Sequence, residues 1–193
     1  MSLSFTVYTK QFSDDVIPEI IKRLNDYEMI VEAYPNFCFK RDSGFLPFKF
    51  QLTNPPFNVL KNKELKSGFE LYMDDFNLRF HKANLQPKKT FFDKLFSKGK
   101  PEVGFANSDV EYRLKDCDIE VTFAWSIVDS FELRFATLTS AILSELTNGV
   151  CYFPPDNIWY NNKNIVDKAY EEIKQYENSL NEKDLKFHEF DEW

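Results

Sequence analysis

The 193-residue sequence is poor in the residues that build most metal and catalytic sites. It has two histidines, His81 and His188, and three cysteines far apart in the chain, Cys38, Cys117 and Cys151. A zinc site would need cysteine and histidine at short ligand spacing, so no metal and no cofactor are expected. The cysteines lie within apolar alternation, which favours reduced structural residues. A cysteine nucleophile paired with either histidine stays an alternative.

Glycine and long apolar runs are also scarce. With five glycines in all, no glycine-rich loop is present to cradle a phosphate group. No run of about 18 apolar residues predicts a membrane-spanning helix. The first residues lack a cationic start followed by an apolar stretch, so no signal peptide is predicted. We therefore expect a cytoplasmic protein.

What the sequence does have is ample apolar and aromatic material. Hydrophobic residues make up 43% of the chain, and phenylalanine alone accounts for 21 positions. A chain of this length buries roughly 70% of the surface that it exposes when unfolded. We expect one domain over residues 1–180, followed by an acidic, aromatic C-terminal tail over residues 181–193.

Charge is distributed unevenly. Residues 101–193 hold 8 basic and 19 acidic side chains, whereas residues 79–100 hold 7 basic and 1 acidic, and the whole chain has net charge −7. Because phosphate contacts dominate nucleic-acid affinity, this balance argues against a nucleic-acid-binding protein. It favours a basic protein partner.

The basic segment is phenylalanine-rich and reads KKTFFDKLFSKGK over residues 88–100. Its apolar residues have helical spacing, as in a helix lying on a membrane surface. The segment is short, however, and SKGKP ends it. We favour a connection between strands whose phenylalanines pack on the core while the lysines stay in water, and we expect no stable membrane association.

The N-terminal half predicts strands with one helix. Residues 3–8 are expected to form a strand, and an amphipathic helix and a second strand (28–35) follow. Two strands containing Phe37/Phe39 and Phe48/Phe50 are expected to flank a turn, with Pro47 marking the second as an edge or bulged strand. Residues 68–81 predict another strand pair or one long bent strand.

The C-terminal half predicts two more helices. Residues 110–125 read as a strand region, and residues 129–149 as a largely buried helix that starts at Asp129 and Glu132, which have capping-box spacing. A hairpin over 150–160 and a helix over 161–180 follow. Together the elements predict an α+β fold in which an antiparallel sheet carries about three helices mainly on one face.

One part of the C-terminal half resembles a known kind of protein. The strand DIEVTFAW, the helix FELRFATLTSAILSELTNG and the segment VCYFPPDNIWY resemble a module of bacterial immunity proteins, which are encoded beside polymorphic or contact-dependent growth inhibition toxins. The resemblance covers about residues 110–170. It implies that the chain binds and blocks a cognate toxin, and it assigns no site residues.

The function expected from these observations is stoichiometric binding of a basic toxin domain. Acids beside large aromatic side chains form the best candidate contacts. The predicted partner-binding residues are Asp156, Trp159, Tyr160, Glu189, Asp191, Glu192 and Trp193.

No catalytic residue is predicted. The best acid cluster for a hydrolase is Asp74–Asp75 with His81 downstream, but adjacent strand residues point to opposite faces, so a hairpin turn explains MDDFN better. A cytoplasmic enzyme with an unrecognised site, or a membrane-peripheral or scaffold protein, remains the alternative.

Overall fold

The fold is α+β, as the sequence predicts, and is built on one antiparallel sheet. The computed structural model describes residues 3–85, 105–126, 129–160 and 163–188. Within these ranges the sheet has seven strands in the order β2-β3-β4-β5-β1-β6-β7. The strands are β1 (Leu3–Thr9), β2 (Met29–Ala33), β3 (Gly44–Leu52), β4 (Leu65–Asp75), β5 (Ile119–Trp125), β6 (Val150–Phe153) and β7 (Ile158–Tyr160).

Five α-helices lie in the described residues. They are α1 (Val16–Asn25), α2 (Leu78–Leu85), α3 (Ser108–Leu114), α4 (Glu132–Leu146) and α5 (Ile165–Ser179). Helices α1, α4 and α5 contribute to the main hydrophobic core on one face of the sheet, as predicted. None of the helices in the described ranges is long and apolar enough to cross a membrane.

The main core forms between α4 and the inward side chains of the sheet. Every second residue of β5 is buried, from Ile119 to Trp125, which confirms the predicted alternation. The Phe48 ring of β3 stacks on the Phe135 ring of α4 at a centroid distance of 4.7 Å. Because most of α4 is buried, its small residues let neighbouring elements approach closely.

A buried ion pair joins α4 to α5. Arg134 Nε and one terminal nitrogen donate to the two carboxylate oxygens of Glu177, both at 2.7 Å. The other terminal nitrogen donates to the carbonyl of Tyr27 at 2.8 Å. The two side chains are 2% and 3% exposed, so their charges are compensated almost entirely by each other.

The opposite face of the sheet carries a second, smaller apolar cluster. Tyr8 of β1 packs there with Phe76, Leu114 and Val150. Phe76 lies between the end of β4 and the start of α2, and Leu114 lies in α3. These two short helices therefore cover part of the face that the three longer helices leave open.

The strand predicted at Phe37 and Phe39 is wrong, because residues 35–43 form turns. Asp42 accepts the N–H of Cys38 at 2.9 Å and Asp14 accepts the N–H of Phe39 at 3.0 Å. Side-chain carboxylates thus satisfy the backbone donors that a strand ladder would have used.

The prediction that Pro47 marks an edge strand is also wrong, since β3 lies between β2 and β4. The β2–β3 register ends at Ala33 opposite Phe48, one residue short of Pro47. At that point β3 has a strand neighbour on one side, so a missing N–H is tolerated.

Two predicted strand regions contain helices. Residues 110–114 of the predicted 110–125 strand belong to α3, whose first turn is capped by Asn107, which accepts the Val110 N–H at 3.0 Å. Residues 78–85 form α2 rather than the second half of a strand pair. MDDFN is consequently the junction between β4 and α2 and not a hairpin turn.

The described part of the C-terminal tail, residues 181–188, packs against the domain. Leu185 and Phe187 contact the main core. Ser130 and Lys186 exchange two hydrogen bonds, from the Ser130 N–H to the Lys186 carbonyl and from the Lys186 N–H to Ser130 Oγ, both at 3.0 Å. The tail thereby brings His188 to the start of α4.

Candidate functional site

Three titratable side chains converge where β5 gives way to α4. His188 Nε2 lies 2.8 Å from Glu132 Oε1 and 3.2 Å from Asp129 Oδ2. One donor atom from each of the three residues falls within 4.8 Å of the others. We call Asp129, Glu132 and His188 the His188 cluster.

Each carboxylate of the His188 cluster is held by fixed donors. Asp129 Oδ1 accepts the N–H groups of Phe131 and Glu132, and Asp129 Oδ2 accepts the Ser67 hydroxyl at 2.8 Å. Glu132 Oε2 accepts the N–H of Ser126 at 3.1 Å. The capping bond expected from Asp129 to the Glu132 N–H is therefore present, while Glu132 turns to Ser126 instead of completing the capping box.

Burial changes the acidity of the His188 cluster. The Asp129 side chain is fully buried, and those of Glu132 and His188 are 4% and 19% exposed. Burial raises the pKa of Asp129 to about 6, and the nearby charge of Glu132 acts in the same direction. Hydrogen bonds from Phe131 and Ser67 oppose this rise but do not cancel it.

A pocket of about 310 Å³ adjoins the cluster. Glu132 and His188 form one side of it, and Glu70 adds a further carboxylate. Aromatic side chains form other walls; the Phe45 ring centroid lies 5.0 Å from that of His188. The cluster is thus buried on the protein side and reachable from the pocket, an arrangement that suits an ion or a small polar group.

Sequence reasoning missed this cluster. The spacing of Asp129 and Glu132 predicts only a helix start, and His188 lies 56 positions beyond Glu132. One signal was present: two acids, three residues apart, open a helix that is otherwise strongly apolar. Because acids at such a position are expected to be buried, they need a cationic partner from elsewhere in the chain.

Comparisons with protein-family models, with curated proteins and with solved structures found no match for this chain. The site must therefore be interpreted from its own geometry.

The predicted partner-binding residues of β7 lie at the outer edge of the sheet, since β7 is the last strand in the order. Asp156 is exposed in the turn before β7. Trp159 is half-buried and stacks on Tyr152 with ring centroids 4.1 Å apart. Trp159 is therefore partly used in packing, whereas Ile158 beside it is 41% exposed.

Tyr160 is influenced by the charges of acids from two elements. Burial raises its pKa to about 12, and the charges of Glu172 in α5 and Asp156 add to the rise. Tyr160 and Glu172 also line the same small cavity. We call Asp156, Ile158, Tyr160 and Glu172 the β7-edge surface. The sequence does not predict Glu172 as a site residue, because the cavity that it lines with Tyr160 joins two different elements, α5 and β7.

Other predicted residues have different outcomes. Glu189, Asp191, Glu192 and Trp193, and the basic segment 88–100, lie outside the described residues. Cys38, Cys117 and Cys151 are free thiols, and burial raises the pKa of Cys117 to about 11 and that of Cys151 to about 12. Both of these groups are therefore poor nucleophiles at neutral pH.

His81 pairs with an acid other than the predicted ones. Its Nε2 lies 3.9 Å from Glu120 Oε2, and Glu120 stands opposite Asp74 in the β4–β5 register. Burial raises the pKa of Glu120 and Asp74 adds to the rise, while His81 opposes it. Glu120 is half-buried rather than on a fully solvated strand side.

Proposed function

We propose that this chain is a stoichiometric binding protein for a basic protein domain, and that it acts as an immunity protein acts on its toxin. The observation that carries the proposal is that Tyr160 of the outermost strand shares a cavity with Glu172, while the exposed Asp156 lies in the turn before that strand. Acids around an aromatic side chain suit a lysine- or arginine-rich partner surface.

The charge of the C-terminal half supports the same function. Its 19 acids against 8 bases attract a basic partner over long range. Helix α5 carries further exposed acids, including Asp167 and Glu171. Long-range attraction raises the association rate, and the aromatic and aliphatic side chains at the edge supply contact area.

The first step is to examine the genes beside the protein's own for one that encodes a basic toxin domain, and the experiment is calorimetric titration of the protein with that domain; absence of such a gene would contradict the proposal. We expect a one-to-one complex that Asp156→Lys with Glu172→Lys weakens strongly. A matched control changes the same charge at the opposite edge of the sheet, Asp26→Lys with Glu32→Lys, two exposed acids. Equal losses in the two variants, or no complex with the toxin domain, would contradict the proposal.

A second candidate function is enzymatic, and the pocket beside the His188 cluster is the observation that favours it. A buried carboxyl whose pKa lies near 6 can exchange a proton at neutral pH. Turnover of ester, peptide or nucleotide substrates that His188→Gln abolishes would support this alternative. Turnover that this variant leaves unchanged would exclude the cluster as its site.

A further inference from the structure

We propose that Asp129, Glu132 and His188 bind a divalent transition-metal ion, with zinc as the first candidate, and leave one coordination position open to the adjoining pocket. This site is independent of the β7-edge surface and of the proposed protein partner. It also replaces the expectation from sequence that the chain has no metal site.

The distances from His188 Nε2 to the two carboxylate oxygens are close to those that a zinc ion requires. Zinc binds imidazole nitrogen and carboxylate oxygen at about 2.0–2.2 Å, so tetrahedral ligand atoms lie roughly 3.3 Å from one another. The His188 Nε2 distances of 2.8 Å to Glu132 and 3.2 Å to Asp129 are close to that spacing. Small side-chain movements would admit an ion between the three atoms.

The ligands are also held in place before any ion binds. Each carboxylate uses one oxygen to accept backbone N–H groups and directs the other toward His188 Nε2. Ser67 donates to the Asp129 oxygen that faces the histidine. Hydrogen bonds of this kind orient metal ligands and raise affinity.

The charge of the cluster favours a dication. Two carboxylates in a site this buried are compensated fully by a divalent ion with a neutral imidazole. A protonated His188 would compensate one of them. The His188 cluster places two carboxylates around one imidazole, whereas Arg134 and Glu177 form a pair of one cation and one anion.

The pocket defines the kind of metal site. Glu132 and His188 line it together with Ser126 and Glu70, so an ion held by the cluster would face open space on that side. Three protein ligands with a fourth position left for water or a substrate are the pattern of catalytic rather than structural zinc. A metal-bound water at this position is the group through which the site would act.

The test is calorimetric titration of chelator-treated full-length protein with zinc chloride and, separately, manganese chloride. We expect one zinc per chain with a Kd of about 1 µM or tighter. Asp129→Asn and His188→Gln should each weaken binding by more than about 100-fold, beyond the effect of losing an outer hydrogen bond. His81→Gln, which alters the other histidine–carboxylate contact, is the matched control and should bind zinc normally.

Two further measurements keep the proposal falsifiable if a ligand variant folds poorly. Ser67→Ala removes a donor to Asp129 and should weaken zinc binding by roughly 10–100-fold while leaving its stoichiometry at one. Cobalt bound in place of zinc should give visible absorption bands typical of tetrahedral coordination by nitrogen and oxygen, and Ser67→Ala should shift them. Absence of zinc binding in the wild type, or equal binding by wild type, His188→Gln and Ser67→Ala, would overturn the proposal.

Discussion

Two buried charge clusters in the described part of the chain differ in their balance of charges and in their access to solvent. Arg134 and Glu177 form a bidentate pair between α4 and α5, with both side chains almost fully buried. Asp129, Glu132 and His188 lie at the start of the same helix, where Glu132 is only two residues before Arg134. They combine two acids with one imidazole and adjoin a pocket. We call the Arg134–Glu177 pair the closed cluster, because it is almost fully buried, and the His188 cluster the open cluster, because it adjoins a pocket.

The difference separates a structural ion pair from a binding site. A guanidinium that donates to both oxygens of one carboxylate, and to a carbonyl, has most of its donors satisfied. It has nothing to offer a ligand. The His188 cluster directs two carboxylates at a single nitrogen beside open space.

The largest effect is expected from breaking the closed cluster. Arg134→Ala should lower the free energy of unfolding by about 3–5 kcal/mol, because Glu177 would be left buried without its cation. Chemical denaturation measures the change. The double variant Arg134→Met with Glu177→Leu should recover much of the loss, since well-packed apolar residues replace buried ion pairs at little cost.

A loss below about 1 kcal/mol for Arg134→Ala would contradict this account. It would mean that the α4–α5 contact is open to water in solution. Arg134 and Glu177 would then not be a closed ion pair, and they would not differ from the His188 cluster in access to solvent.

The pH dependence of stability should identify the open cluster. The pKa of Asp129 is raised to about 6 from its ordinary value of 3.8. Between pH 4 and 6 the folded state therefore keeps a proton that the unfolded state has lost. The contribution of Asp129 to stability is fully present below about pH 4 and falls, by on the order of 2–3 kcal/mol, as the pH rises to 6.

The measurement is denaturation of metal-free wild type and Asp129→Asn across this range, in the presence of a chelator. The groups that act on Asp129 are Glu132, His188 and Tyr176, and they are common to both proteins. The wild type should lose stability relative to Asp129→Asn as the pH rises. A difference that stays constant from pH 4 to 7 would contradict the raised pKa.

A smaller effect is expected from His188 on the C-terminal segment. His188→Gln removes the partner shared by two buried carboxylates, which should cost about 1–3 kcal/mol. It should also speed hydrogen exchange at the N–H of Lys186, which donates to Ser130. His81→Gln is the control, because His81 lies 3.9 Å from its carboxylate and is more exposed. Unchanged exchange at Lys186 would mean that Leu185 and Phe187 hold the segment without the histidine.

The sequence predicts correctly those elements whose structure follows from short-range periodicity. The alternation of β5, the apolar helix α4 and the hairpin of β6 and β7 all follow from short-range periodicity and turn residues. The strand prediction for the residues of α3 is wrong, because apolar and polar residues alternate in VEYRL as they would in a strand. Its helical state depends on the Asn107 cap and on burial of Leu114 by other elements.

The candidate site could not be predicted for a related reason. Ser67 and Asp129 lie 62 residues apart, and Glu132 and His188 lie 56 apart. His188 reaches Glu132 because the C-terminal segment packs beside the start of α4, where Leu185 and Phe187 contact the main core and Lys186 bonds to Ser130. Sequence spacing does not encode such a contact, so a search for ligand motifs passes over it.

The smallest effect on stability is expected at the third acidic region, the β7-edge surface, where charges are exposed rather than buried. Asp156→Lys with Glu172→Lys should change the free energy of unfolding by less than about 0.5 kcal/mol, since both residues are exposed. The same variant should slow association with a basic partner by roughly tenfold at low salt, because it reverses local attraction. Stopped-flow fluorescence at low and high salt separates this from lost contacts, since screening should bring the two association rates together while a lost contact would persist in the dissociation rate. A slower association that is independent of salt would mean that shape and not charge governs binding at this edge. The exposed acids would then not steer a partner, and the proposed difference between them and the buried acids of the His188 cluster would be wrong.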